Sequence, residues 1–176
     1  MYIPTEVEKI LFSEEQIDER VNALGAELTR DYCGKNPLFL CVLKGASIFF
    51  ADLVRRVECP LEFDFLRASS YAGTNSTGEV KLDVSAVPDI SGRDVVLVED
   101  IIDTARTLSA LKKHLLSLEP RSVKVACFLD KPSRRVVEGF SADYTGFEIE
   151  DLFVVGYGLD CDQKYRNLPY IGIYKG

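Results

Sequence analysis

The chain has 176 residues, 47% of them hydrophobic, which is enough to bury the core of one ordinary domain and too apolar for a disordered chain. A formal net charge of −7 argues against a protein that grips nucleic acid along a basic face, and no apolar run reaches the ~18 residues of a membrane span. Five cysteines, odd in number and without a C-x-x-C pair, together with a start lacking any secretory pattern, make a soluble cytoplasmic protein the expectation.

Ser13-Glu14-Glu15-Gln16 has the form of a capping box. Ile17, Val21, Leu24 and Leu28 follow at helical spacing, and Gly34 is a plausible stop. Residues 38–43 are a continuous apolar run of strand length, residues 46–57 read as a helix and 61–66 as a second strand. Residues 69–78 are rich in Ser, Thr, Gly and Asn, with little to anchor a core, and read as a surface loop or a lid. Residues 94–98 form a third buried strand, and Leu108, Leu111, Leu115 and Leu118 mark a helix behind it. Residues 123–129 make a fourth strand, and Phe153-Val154-Val155 begins a fifth. Apolar strands alternating with helices predict an α/β fold with parallel pairing and both sheet faces covered.

The stretch Val95-Val96-Leu97-Val98-Glu99-Asp100-Ile101-Ile102-Asp103-Thr104-Ala105-Arg106-Thr107 concentrates the chemistry. In an open parallel sheet, ligands bind at the carboxyl ends of strands, so Glu99, Asp100 and Asp103 are delivered to the ligand edge. The turn after them puts backbone amides at a helix N-terminus, which favours a phosphate, and Thr104 and Thr107 add hydroxyl donors. The plainer alternative is an acid pair ending a strand in solvent, with Asp103 capping the helix.

This stretch resembles the phosphoribosyl pyrophosphate motif of the type I phosphoribosyltransferases, and its neighbours narrow the resemblance to the hypoxanthine-guanine branch in its short bacterial form. Leu43-Lys44-Gly45-Ala46 is similar to that family's pyrophosphate loop, with its unusual cis peptide. Ser69-Ser70-Tyr71 resembles the opening of the lid, and Asp130-Lys131-Pro132-Ser133-Arg134-Arg135 the purine-recognition segment. Phe153-Val154-Val155-Gly156-Tyr157-Gly158-Leu159-Asp160 resembles the base pocket, and Tyr165-Arg166-Asn167-Leu168-Pro169-Tyr170-Ile171-Gly172 the family's tail.

The resemblance implies a type I phosphoribosyltransferase fold over residues 1–176: a mostly parallel twisted sheet flanked by helices, a lid over 69–80, and a hood from about 1–12 with parts of 140–176. It implies transfer of a phosphoribosyl group to hypoxanthine and/or guanine with magnesium (Mg2+), in a homodimer or homotetramer. Glu99, Asp100 and Asp160 would then place the metal, Glu99 and Asp100 also flanking the ribose hydroxyls. Asp103 would be the general acid/base, and Lys131 would donate to the 6-oxo group. Phe153 would stack on the purine and the Val154 backbone would read its edge. Lys44, Gly45 and Arg166 would contact pyrophosphate, and Thr104, Ala105, Arg106 and Thr107 the sugar phosphate. Ser70 and Tyr71 would cover the site, and Arg135 would brace it from behind.

Each assignment has a plain counterpart: a turn aspartate for Asp160, a surface lysine for Lys131, a core ring for Phe153. His114, in the helix after the phosphate loop, is expected to carry no chemistry. The family usually has glycine where this chain has Ala105. Either the loop keeps negative φ there, or alanine costs roughly 1 kcal/mol and weakens sugar-phosphate binding. Other classes remain: a regulator on the same fold without catalysis, or a phosphoacceptor domain built on the acid cluster.

Overall fold

Ser13 opens a long helix by satisfying amides that lack a helical partner. Its Oγ accepts from the Gln16 amide at 3.3 Å, while Gln16 Oε1 accepts from the Ser13 amide at 2.9 Å. The computed structural model describes the backbone of residues 2–72, 80–84 and 87–176, with side chains outside 68–86. Its elements in chain order are β1 (Val7–Phe12), α1 (Glu14–Tyr32), β2 (Leu38–Leu43), α2 (Ser47–Val54), β3 (Glu62–Ala72) and β4 (Val80–Val84). There follow β5 (Asp94–Ile102), α3 (Arg106–Leu116), β6 (Ser122–Asp130), β7 (Tyr144–Glu148), β8 (Val154–Val155) and β9 (Ile171–Tyr174).

Six strands form the main sheet in the order β4-β3-β2-β5-β6-β7, all parallel except β4, which runs antiparallel to β3. The strands are apolar throughout because both faces are covered. On β2, Phe39 and Cys41 face the α1–α2 layer with Ile17, Val21, Leu24, Phe49 and Leu53, while Leu38, Leu40 and Val42 face α3 with Leu108, Leu111 and Leu115. Strands β1, β9 and β8 make a second, antiparallel sheet over a small core of Val7, Val155, Leu168 and Tyr170.

Several expected boundaries move. The third strand does not stop at Val98 but continues as β5 to Ile102, so Glu99 and Asp100 lie half-buried inside it. The predicted fifth strand, residues 153–155, leaves the parallel sheet and pairs antiparallel with β9. Its place is taken by β7, whose mixed sequence Tyr-Thr-Gly-Phe-Glu gives little strand signal. Gly146 within it is required by close approach, since a Cβ there would lie 2.3 Å from the Phe128 carbonyl oxygen. Residues 69–72, read as loop, continue β3 and pair with β4. Residues 73–79 of the expected lid lie outside the described residues, as do the side chains of Ser70 and Tyr71. Among the described residues no helix is long and apolar enough to cross a membrane.

Candidate active site

Parallel strands β2 and β5 are neighbours, and both end at the same edge of the sheet. What each carries past its end therefore meets in one place. After β2 comes the Lys44–Gly45 turn, entered through a cis peptide between Leu43 and Lys44. After β5 come Asp103, Thr104 and the start of α3. Between them opens a cleft of about 350 Å³ lined by Lys44, Gly45, Glu99, Asp100, Asp103, Thr104, Ala105, Arg106, Thr107, Asp160 and Arg166. A larger cavity of about 710 Å³ lies elsewhere, between α1, α2 and the 167–169 turn, and contains none of these residues.

The acid pair has unusual electrostatics. Burial raises the Glu99 carboxyl well above the ordinary range, and the adjacent Asp100 raises it further. Burial also raises Asp100, opposed by the hydrogen bond from Glu99, by the Ile101 amide that donates to Asp100 Oδ1 at 2.8 Å, and by the Arg166 charge. Two half-buried carboxyl groups that resist joint ionisation gain from a cation placed against them. Among the described residues, no three His, Cys, Asp or Glu side chains converge closely enough to form a cage. Such a donor set suits magnesium, which takes one or two carboxylates and completes its shell with substrate oxygens and water.

At the far end of the cleft, Arg166 pairs with Asp160 at 2.8 Å and donates from Nη1 to the Gly158 carbonyl at 2.7 Å. Gly158, at φ +102, packs directly on the Lys44–Gly45 turn: a Cβ there would lie 2.0 Å from the Gly45 carbonyl oxygen. The loop after β8 is thereby fixed against the loop after β2.

Asp103 does not cap α3. The cap position is Ala105, which makes no side-chain cap hydrogen bond, and Asp103 Oδ1 instead accepts from Arg134 Nε at 3.0 Å. Arg134 also reaches Asp151 at 3.5 Å, and Lys131 approaches the same carboxylate at 3.7 Å. Arg135 donates to the Asp103 carbonyl at 2.6 Å and pairs with Asp130, holding the turn from behind. Ala105 is at φ 64, ψ 3, so the loop adopts the left-handed geometry and the option of negative φ is excluded.

Lys131, Phe153 and Val154 do not line the cleft. Lys131 is buried, its amide donating to the Ile102 carbonyl at 2.9 Å. Phe153 is not a core ring: it is 55% exposed, with its centroid 5.5 Å from that of Tyr174. Val154 is buried and pairs with Ile173. Sequence reading missed Gln163, Arg134, Asp151 and Gly158. Gly158 and Arg134 stood within recognised motifs without a role of their own, whereas Gln163 and Asp151 carry no sequence signal.

The model of the phosphoribosyl transferase domain matches residues 9–162, and the chain belongs to the phosphoribosyltransferase family. A hypoxanthine-guanine phosphoribosyltransferase of Lactococcus lactis is 51% identical over 170 residues, covering 96% of this chain and 92% of that protein. One of Streptococcus thermophilus is 49% identical over 171 residues, covering 97% and 94%. A crystal structure of a hypoxanthine-guanine phosphoribosyltransferase from Bacillus anthracis superposes with a TM-score of 0.88 at 44% identity, covering 97% of this chain and 100% of that one.

Proposed function

We propose that the protein is a purine-salvage enzyme that transfers the 5-phosphoribosyl group of phosphoribosyl pyrophosphate to hypoxanthine and/or guanine, releasing pyrophosphate. The observation that carries the reading is one cleft that joins an acid pair resisting ionisation, two further carboxylates (Asp103 and Asp160), the amides of a helix N-terminus and three cations (Lys44, Arg106 and Arg166). The half-identical relatives of nearly equal length bear that name. A phosphoacceptor domain would not need the 43–46 loop or the 153–160 segment, and a non-catalytic regulator would not need Asp103 and Lys131.

The sugar phosphate fits the amides and hydroxyls of residues 104–107 at the N-terminus of α3, where the helix dipole favours an anion. Lys44 and Arg166 face the pyrophosphate, Arg166 through a planar fork matched to phosphate oxygens. Asp100 and Glu99, with Asp160 on the pyrophosphate side, would hold magnesium, whose chemistry there is neutralisation of charge on the departing group. Lys131 donates to the 6-oxo group, Phe153 stacks on the ring and the Val154 backbone reads its edge.

A purine nitrogen forms the bond to the anomeric carbon as the bond to pyrophosphate oxygen breaks, the electron pair leaving with pyrophosphate. The proton lost from the purine passes to the Asp103 carboxylate. The small sheet β1-β9-β8 serves as the hood, and the 69–80 segment as a lid that excludes water. Five free thiols fit a cytoplasmic setting, and a homodimer or homotetramer is the assembly expected.

A steady-state assay with phosphoribosyl pyrophosphate, magnesium and hypoxanthine, guanine, xanthine or adenine tests this. Nucleotide from hypoxanthine or guanine, none from adenine, and loss with chelator is the expected result. A folded protein that turns over none of the four bases would remove the proposal.

A further inference from the structure

Between Lys44 and Arg166, two of the cations of the cleft, sits a neutral side chain that neither motif nor mechanism has used. Gln163 Oε1 accepts from Lys44 Nζ at 3.1 Å and from Arg166 Nη2 at 3.4 Å. Its backbone amide donates to Asp160 Oδ2 at 2.8 Å, and its Nε2 to the same oxygen at 3.4 Å. One residue thus touches both cations and the carboxylate that pairs with Arg166. Its backbone is held in the left-handed region, φ 64, in a tight turn closed by paired hydrogen bonds between Cys161 and Lys164 at 3.0 and 3.2 Å. A non-glycine residue adopts that geometry at a cost that its surroundings must offset, and the four side-chain and backbone contacts do so.

We propose that Gln163 is a positioning residue of the pyrophosphate subsite: a neutral acceptor that gathers Lys44 and Arg166 without cancelling their charge. The inference rests on the functional reading above. Lys44 and Arg166 have long, rotamer-rich side chains whose ordering opposes binding, and a shared acceptor meets part of that cost before the ligand arrives. The acceptor's charge decides the outcome. Lys44, Arg166 and Asp160 together leave one net positive charge facing the ligand, and an amide keeps it. A carboxylate in the same place would make stronger, charge-assisted bonds to both cations, bring the subsite to neutrality and compete with the pyrophosphate oxygens.

This separates binding from stability, which a merely structural glutamine would not do. Gln163→Glu strengthens both cation contacts but exchanges the Nε2 donor to Asp160 for an oxygen, so it is expected to melt near the wild-type temperature. Its KM for phosphoribosyl pyrophosphate should rise about tenfold, with KM for hypoxanthine unchanged. That rise should shrink as ionic strength increases. Gln163→Ala, which removes the acceptor without adding charge, should raise the same KM by a smaller factor, about threefold.

Calorimetric titration of magnesium pyrophosphate into the three proteins should give the same ranking without any turnover. The two readings therefore fail separately. An inactive but folded wild type that still ranks the variants this way overturns the enzyme proposal alone. Equal pyrophosphate affinity and equal KM in wild type and Gln163→Glu overturn the role of Gln163.

Discussion

The Asp100 carboxylate occupies the space that a side chain on residue 45 would need: a Cβ on Gly45 would lie 1.5 Å from Asp100 Oδ2 and 2.6 Å from its Cγ. The two residues come from different strand ends, so the turn after β2 and the acid on β5 are built around each other. Gly45→Ala is expected to displace the Asp100 carboxylate by the order of an ångström. A shift of that size at a reacting centre costs about 100-fold in kcat/KM. Steady-state kinetics beside a thermal melt checks this, and wild-type kcat/KM in a folded variant would refute it.

Ala105 holds the left-handed conformation at the start of α3 with a side chain that disfavours it. Replacement by glycine removes a strain of about 1–2 kcal/mol and adds about 0.5–1 kcal/mol of unfolded-state freedom. Ala105→Gly should therefore stabilise the fold slightly, by up to about 1 kcal/mol, and lower the KM for phosphoribosyl pyrophosphate. Denaturant unfolding and kinetics give the two numbers. Clear destabilisation would show that packing of the buried methyl outweighs the strain.

The layered α/β scaffold was legible because α1 and the parallel strands announce themselves by period and by continuous apolar runs. Ser13 and Gln16 form the box their spacing predicts. What escaped depends on partners distant in sequence. Glu99 and Asp100 read as strand-end acids, yet β5 extends through them because β6 runs alongside as far as Asp130. β7 was invisible because its mixed sequence Tyr-Thr-Gly-Phe-Glu carries little strand signal and its Gly146 serves a close approach to the Phe128 backbone. Asp103 looked equally suited to capping a helix, but Ala105 holds the cap position and the Asp103 carboxylate meets Arg134 instead. Gln163 and Asp151 lie in irregular segments, where no periodicity reveals what a side chain will meet.

Away from the site, Asp143 ties β6 to α3. It accepts from the Val125 amide and from Lys124 Nζ, each at 2.8 Å, and lies 3.5 Å from Lys112. Burial raises its carboxyl, but Lys124, the Val125 amide and Lys112 outweigh that and hold it below the usual range. The stability it contributes is complete above the unfolded-state pKa of about 3.9 and is lost as pH falls through its lower folded value. Lys124 is raised by the same contact, so its share is present below about pH 10.4 and lost above that. Asp143→Asn should therefore cost about 1–3 kcal/mol across a plateau between those limits, with the difference from wild type narrowing at both ends. Denaturant titrations at pH 3, 7 and 11 read it directly, and a cost independent of pH would contradict it.

In the mechanism proposed above, the Asp103 carboxylate that follows β5 accepts the purine proton. The direct measurement is the kcat of Asp103→Asn with hypoxanthine and saturating phosphoribosyl pyrophosphate, beside its thermal melt and its KM for phosphoribosyl pyrophosphate. The amide keeps the shape and the acceptor for Arg134 but cannot take a proton. The expected kcat is lower by about 100- to 10,000-fold, with the sugar-phosphate KM and the fold intact. A variant that turns over hypoxanthine at the wild-type rate would contradict it and move the proton to another acceptor.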